Sequence, residues 1–458
     1  MATPTAKEPS VSEILGRFVA ASRWEELDAP LRHEGKRALL NFFGCALGVA
    51  REPAIAAAAR LMQEFGGPPQ ASVIGRAERP DAMGAAFVNA IAGNFLDFDD
   101  THLKTVIHPT APIAPPVLAL AEARDLPGAA VLHAFLLGAE IACRIGAAVS
   151  PGHYARGWHI TSTCGIFGAA AASAKLLGLN AAEIAAALGI AASLSCGIVE
   201  NLASGAKNAS VGNAARNGLL AALLASKGYD AAPTALEGRL GWARAMGDIP
   251  DLEEMIGGLG VRWEFRANTY KPYPAGIVFH AVIDAAFALR ERLGLRPDDL
   301  AGVIVRGHPL LLERGERAVA SERDARVSIA HAAAVALVRG RAGVAEFQAD
   351  AVHDPEISAL REKVRAESDR EMLPGAATVT VFTRDGRAET VRVDHARGSL
   401  ERPLTDAELE AKFRDNAALG GHAARSAECI AHIWALEEAP SLRPLMRLLS
   451  AGASRYPA

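Results

Sequence analysis

Between about Val11 and Trp242, the apolar residues of this chain recur again and again at spacings of three and four. That spacing lays an apolar stripe along one side of an α-helix, and it is carried by stretches such as Arg37 to Val49, Gly84 to Phe98 and Gly128 to Ala148. Strand-type alternation is nearly absent here. Half of all residues are hydrophobic but only 5% are aromatic, so the apolar volume is mostly Ala, Leu and Val, which suits closely packed helices. With 458 residues, the length points to two or three cores rather than one.

Punctuation agrees with helices. Asn180 and Glu183 form an Asn-x-x-Glu capping box that opens Ala181 to Leu194, and Gly178 closes the helix before it. The character changes near Arg266. A strand is expected at Ala301 to Arg306, and a hairpin in which Thr378 to Thr383 and Ala388 to Val393 flank Asp385-Gly386. Helices are expected between these strands, at Val278 to Leu293 and Val327 to Arg339, and Thr405 with Glu408 marks a return to helix. The expected fold is therefore mainly α, with a large helical domain of residues 1–267 plus 405–458 and an inserted, smaller α+β domain of residues 268–404.

A formal net charge of -4 and a pI near 6.4 leave no basic excess for a phosphate backbone. Nucleic acid is not an expected partner. The first residues lack a basic stretch followed by an apolar one, and no run reaches 18 consecutive apolar residues, so neither a secretory signal nor a membrane span is expected. The five cysteines (Cys45, Cys143, Cys164, Cys196, Cys429) are scattered, with no Cys-x-x-Cys pair, and fit a reducing cytoplasm. There is no His-Glu-x-x-His, no EF-hand loop, no Walker A loop and no Gly-x-Gly-x-x-Gly opening a βαβ unit, so neither a metal nor a nucleotide cofactor is indicated. Scattered histidines such as His353 and His422 read as surface residues.

Four segments place His, Lys or Asp beside Gly, Ser and Thr, next to long Ala-rich helices. In AGNFLDFDDTHLKTVIHPT, Asp97 and Thr101 stand at i and i+4, which would put them on one face at a helix end, with His108 in the loop that follows. That loop runs into a segment opened by Thr110 and the pair Pro115-Pro116, as suits a helix N-terminus. Asp97, Asp99 and Asp100 can equally be a solvated helix end. In GWHITSTCGIF, His159 sits just ahead of a helix expected from about Thr163, where orphan N-H groups and a partial positive charge favour a carboxylate; the bland alternative is a core histidine bonded to backbone. In SGAKNASVGNAARNG, Lys207 lies in a small-residue loop before a helix capped by Asn208 or Ser210. In NTYKPYPAG, Lys271 and two tyrosines, Tyr270 and Tyr273, stand beside Pro272 and Pro274 at the expected domain boundary.

Together these segments supply His108, His159, Lys207 and Lys271 as potential cations, and imply a substrate with several carboxylates. A proton beside a carboxylate is very weakly acidic, because its removal builds charge on a group already charged. Cations and N-H donors must neutralise that charge, and a histidine near neutral pKa can take the proton.

In this order the motifs DFDDT (Asp97 to Thr101), HPT (His108 to Thr110), GWHITSTCGIFGAAAA (Gly157 to Ala172), SGAKNASVGNAARNG (Ser204 to Gly218) and YKPYPAG (Tyr270 to Gly276) resemble the MmgE/PrpD family over nearly the whole chain. That family includes 2-methylcitrate dehydratase, cis-aconitate decarboxylase and iminodisuccinate epimerase. The resemblance implies a large helical domain, a smaller α+β lid and a homodimer. It places Asp97, Thr101, His108, His159, Lys207 and Lys271 at active-site positions, with His159 or His108 as base, the lysines holding carboxylates and Asp97 orienting a histidine or relaying a proton. Asp100, Tyr273 and His331 are further candidates for substrate binding. Two departures stand out: Val327-Ser328-Ile329-Ala330-His331 carries histidine where many members have tyrosine, and the stretch between Thr101 and His108 is longer than in the decarboxylase.

The activity expected is a cofactor-free lyase acting beside a carboxylate of a small di- or tricarboxylic acid, foremost a 2-methylcitrate dehydratase-like hydro-lyase. An epimerase or isomerase of an imino- or amino-dicarboxylate and a cis-aconitate decarboxylase-like enzyme are the alternatives. A helical dimer that binds polycarboxylates without turning them over is the non-enzymatic one.

Overall fold

The computed structural model describes residues 8–294 and 297–450. It is mainly α-helical, with a four-stranded sheet in the C-terminal half and, besides that, short strands at Asp100–His102 and Asn268–Tyr270 among the described residues. The chain separates into two compact units: unit 1 gathers the described residues up to Phe95, Asp99–Asn268 and those from Asp406 onward, and unit 2 gathers Leu96–Phe98 and Thr269–Thr405.

The long helices of unit 1 that matter most here are α1 (Ala29–Gly48), α2 (Ala82–Asn94), α3 (Thr110–Arg124), α4 (Gly128–Val149), α5 (Ile160–Leu176), α6 (Ala181–Leu194) and α7 (Gly205–Ala225). Small residues let them pack backbone to backbone. A Cβ on Gly138 of α4 would stand 2.4 Å from the carbonyl oxygen of Gly168 in α5, and one on Gly218 of α7 would stand 2.3 Å from the Cβ of Ala169. Side chains would force these helices apart, so the glycines set their separation. α4 is long and apolar enough to cross a membrane by composition, but 89% of its most apolar window is buried inside the protein. The expected capping box at Asn180 and Glu183 opens α6, and Gly178 takes a φ of 70° at the end of the preceding helix.

Three expectations of local structure are corrected. Asp97 and Thr101 do not share a helix face: α2 ends at Asn94, Asp97 has a φ of 55°, and Asp100–His102 is extended. The left-handed backbone at Asp97 stops the helix, a conformation that Asp tolerates better than most residues. Pro115 and Pro116 lie inside α3 rather than at its start, which is Thr110. His422 is not a surface residue but is buried, its Nε2 3.2 Å from the carbonyl oxygen of Gly75; His353 is exposed as expected.

The helix Asp406–Leu419 lies against α1 within unit 1. A Cβ on Gly44 would be 3.1 Å from the Cα of Phe413, and Lys412 donates to Asn41 Oδ1 at 2.7 Å in the buried seam.

Unit 2 is built on a four-stranded sheet with helices α8 (His280–Leu293) and α9 (Ile329–Arg339). Its strands are β1 (Leu300–Gly307), β2 (Val364–Ser368), β3 (Ala377–Thr383) and β4 (Ala388–Val393), in the order β2-β1-β3-β4. β1 pairs parallel with β2 and antiparallel with β3, and β3 and β4 form the expected hairpin around Gly386, whose φ is 87°. Ala377, Val379, Val381 and Thr383 alternate inward onto the core that α8 and α9 share. β2 was not foreseen, because Val-Arg-Ala-Glu-Ser at a sheet edge offers one fully buried apolar residue, Val364, and no alternating pattern.

Candidate functional site

Three of the predicted residues stand at helix beginnings in unit 1. His108 lies two residues before α3, and His159 is the N-cap of α5, which starts at Ile160, three residues earlier than expected. Lys207 is not in a loop before its helix. α7 starts at Gly205 with Ser204 as N-cap, so Lys207 is its third residue, and Asn208 and Ser210 lie inside it rather than capping it. The Asn208 side chain is drawn away instead to Asn94, donating to its carbonyl oxygen at 2.9 Å and to its Oδ1 at 3.2 Å.

Hydrogen bonds tie these beginnings together. The backbone N-H of His108 donates to Thr161 Oγ1 in the first turn of α5 at 3.1 Å. His159 Nδ1 lies 2.9 Å from Ser162 Oγ and 3.3 Å from Ser210 Oγ of α7. The two serine hydroxyls are 2.6 Å apart, and Ser210 donates to the carbonyl oxygen of Lys207 at 2.8 Å. Hydrogen bonds thus tie together three positive helix ends that carry His108, His159 and Lys207, an arrangement suited to anions. A lysine in a helix's first turn opposes the macrodipole, so local stability does not account for Lys207.

His108 is held from behind. Its Nδ1-H donates to Asp99 Oδ1 at 3.0 Å, and Asp99 Oδ2 accepts from Asn94 Nδ2 at 2.7 Å. Asp99 is 1% exposed and Asp100 0%, so the reading of these acids as a solvated helix end is overturned. Asp100 accepts from Thr110 at 2.5 Å and from Asn268 at 2.8 Å; burial, with the neighbouring Asp99 charge, pushes its pKa up to about 6. Thr101 is buried beside it in sequence. The turn leading to His108 is closed by the His102 N-H donating to Ile107 O at 2.8 Å and by His102 Nδ1 beside Thr105 Oγ1, also 2.8 Å, with Val106 at a φ of 54°.

In unit 2, Lys271 is 4% exposed and reaches Asp97 twice, donating to its carbonyl oxygen at 3.0 Å and pairing with its carboxylate at 3.1 Å. Tyr273 and His331 sit in the packing of unit 2. The Tyr273 hydroxyl donates to Asp284 at 2.5 Å, and His331 Nε2 lies 2.9 Å from the carbonyl oxygen of Glu346, with burial pulling its pKa down to about 4. These bonds give both residues an internal structural explanation.

Of the supporting residues, Asn94, Thr161 and Ser162 are not marked by the sequence reading, and Asp99, Asn208 and Ser210 enter it only as a solvated helix end or as helix caps. A signal existed: Asn94 and Asn208 are polar, poor helix formers in buried Ala-rich helices, where an unbonded amide would be costly.

Comparison with known proteins matches residues 13–255 to the MmgE/PrpD N-terminal domain and residues 273–436 to the MmgE/PrpD C-terminal domain. The cis-aconitate decarboxylase of Homo sapiens is 32% identical over 348 residues, covering 73% of this chain and 72% of that protein. The cis-aconitate decarboxylase of Aspergillus terreus (strain NIH 2624 / FGSC A1156) is 27% identical over 466 residues, covering 93% of each.

Proposed function

The chain belongs to the MmgE/PrpD family, and from that premise we propose that it is a lyase that moves a proton on carbon beside a carboxylate of a small di- or tricarboxylic acid, without metal or cofactor. The observation that carries this reading is the meeting of three helix beginnings around His108, His159 and Lys207 in unit 1. A polycarboxylate held there has its charge offset by backbone N-H groups and Lys207 before any bond breaks. Charge that then develops on the substrate meets donors already in place.

His108 and His159 are the proton-transfer pair. His108, whose ring is oriented by its bond to the buried Asp99 carboxylate, is the proposed donor, and His159, backed by serine hydroxyls, the proposed acceptor. From their motif positions Thr101 and Asp100 are assigned to the site in unit 1, while Asp97, Lys271, Tyr273 and His331 keep, in unit 2, the roles that the family resemblance implies. The names of the curated relatives favour loss of carbon dioxide from a cis-aconitate-like acid. Loss of water from a 2-methylcitrate-like hydroxy acid is the second reading. Epimerisation of an imino-dicarboxylate would use the same groups. A homodimer working in the cytoplasm completes the proposal from the family resemblance.

The test is incubation in deuterium oxide, with EDTA present, with cis-aconitate, 2-methylcitrate, citrate and aspartate-derived acids, following substrate C-H signals and products by NMR. We expect deuterium uptake or product from at least one acid, abolished in His159→Ala and His108→Ala. For Lys207→Ala we expect retained folding with loss of the thermal stabilisation that the active acid gives the parent protein. If no acid exchanges and none raises the melting temperature, the reading falls.

A further inference from the structure

The hydroxyls behind His159 form a chain whose proton order the geometry dictates. At its far end is the carbonyl oxygen of Lys207, which can only accept, so the single hydroxyl proton of Ser210 points there across 2.8 Å. Ser210 Oγ is then an acceptor towards Ser162, 2.6 Å away, and Ser162 must donate its own single proton to it. With that proton committed, Ser162 Oγ can only accept from His159 Nδ1 at 2.9 Å, and Ser210 Oγ at 3.3 Å is likewise an acceptor for that nitrogen. The reverse order would leave the oxygens of Ser210 and Lys207 facing each other at 2.8 Å with no proton between them.

We propose that Ser162 and Ser210 are positioning residues that fix neutral His159 as its Nδ1-H tautomer and so make Nε2 the proton-accepting nitrogen. This rests on the reading of His159 as a proton acceptor and deepens it. The tautomer is anchored through the backbone of Lys207, so the residue proposed to hold a substrate carboxylate also sets, through its own carbonyl, which face of His159 can take a proton. Ser162 is completely buried and Ser210 partly so, which shelters the chain from water that would otherwise scramble its order.

The two serines differ in a way that a merely structural role would not reproduce. Ser210→Ala removes the anchor, freeing the Ser162 proton to turn towards Nδ1 and moving His159 towards the Nε2-H tautomer. Ser162→Ala leaves Ser210 still donating to Lys207 and still accepting from Nδ1, so the Nδ1-H tautomer persists. The experiment is 15N NMR of histidine-labelled protein above the His159 titration, with the resonances assigned by their loss in His159→Gln. We expect a pyrrole-type Nδ1 and a pyridine-type Nε2 in the parent protein and in Ser162→Ala, movement towards the reverse pattern in Ser210→Ala, and restoration in Ser210→Thr. With an active acid, Ser210→Ala should lower kcat by about 10²-fold with little change in KM. A pyrrole-type Nε2 in the parent protein, or identical tautomers in the two alanine variants, overturns the proposal. The parent measurement needs neither a variant nor a substrate, so it stands or falls separately from the proposed reaction.

Discussion

Burial moves Asp100 and His153 in opposite directions on the pH axis, and each shift has a measurable sign. Asp100 in the folded protein holds its proton up to about pH 6, above the ordinary carboxylate value of 3.8. Its contribution to stability is therefore fully present below pH 3.8 and is lost as pH rises through 6. Asp100→Asn should gain stability relative to the parent between pH 4 and 7, by on the order of 3 kcal/mol, read as a melting-temperature difference that widens with pH; a constant difference would refute it. His153 lies between Met246 O and Thr163 Oγ1, and burial lowers its pKa to about 4, so it is held neutral and opposes folding once acid charges it. At this scale the sequence picks out the side chains of the proposed site and is silent about what holds them. His108, His159 and Lys207 are legible because a cation beside small residues near a helix start is unusual. Asp99 and Ser210 are not, because an aspartate among aspartates and a serine after a lysine look like a solvated end and a cap until their partners on other helices are known.

Among the elements, α5 occupies the position on which the site depends, and glycine on its neighbours fixes that position. Gly168 of α5 and Gly138 of α4 approach so closely that a Cβ on Gly168 would be 2.5 Å from the Gly138 carbonyl oxygen. Gly168→Ala should cost about 1–3 kcal/mol by overpacking, measured by urea unfolding. It should also weaken catalysis more than stability alone explains, because the His159 end of α5 would shift against Ser210; full activity in a folded Gly168→Ala protein would count against this coupling. Helix existence was legible from periodicity throughout unit 1, and so was the hairpin of unit 2 from Asp385-Gly386. Helix boundaries were the errors: α2 ends sooner than the sequence indicated. α5 and α7 both begin earlier than the sequence indicated because tertiary bonds, from His108 N-H to Thr161 and from Asn208 to Asn94, commit the polar residues that would otherwise have marked caps. The strand β2 escaped because an edge strand needs little apolar pattern.

At the scale of the whole molecule, four histidines among the described residues are buried with pKa values lowered to about 4 by loss of solvent: His102, His133 and His153 in unit 1 and His331 in unit 2. Unfolded, each would take a proton near pH 6.5, so stability present at neutral pH is lost as pH falls from 6.5 through 4. Urea midpoints should drop steeply over that window, and His133→Gln and His331→Gln should each flatten the drop by about one proton's worth of slope; an unchanged slope in both would show that other groups dominate. The order in which the segments occur along the chain has a further consequence. Because the seam between α1 and the Asp406–Leu419 helix joins residues more than 350 positions apart in sequence, a ribosome making this protein releases every strand of unit 2 before unit 1 can close. α1 must wait through most of translation with the face around Gly44 uncovered, so the nascent helical core is a natural client for chaperones until the last helices emerge.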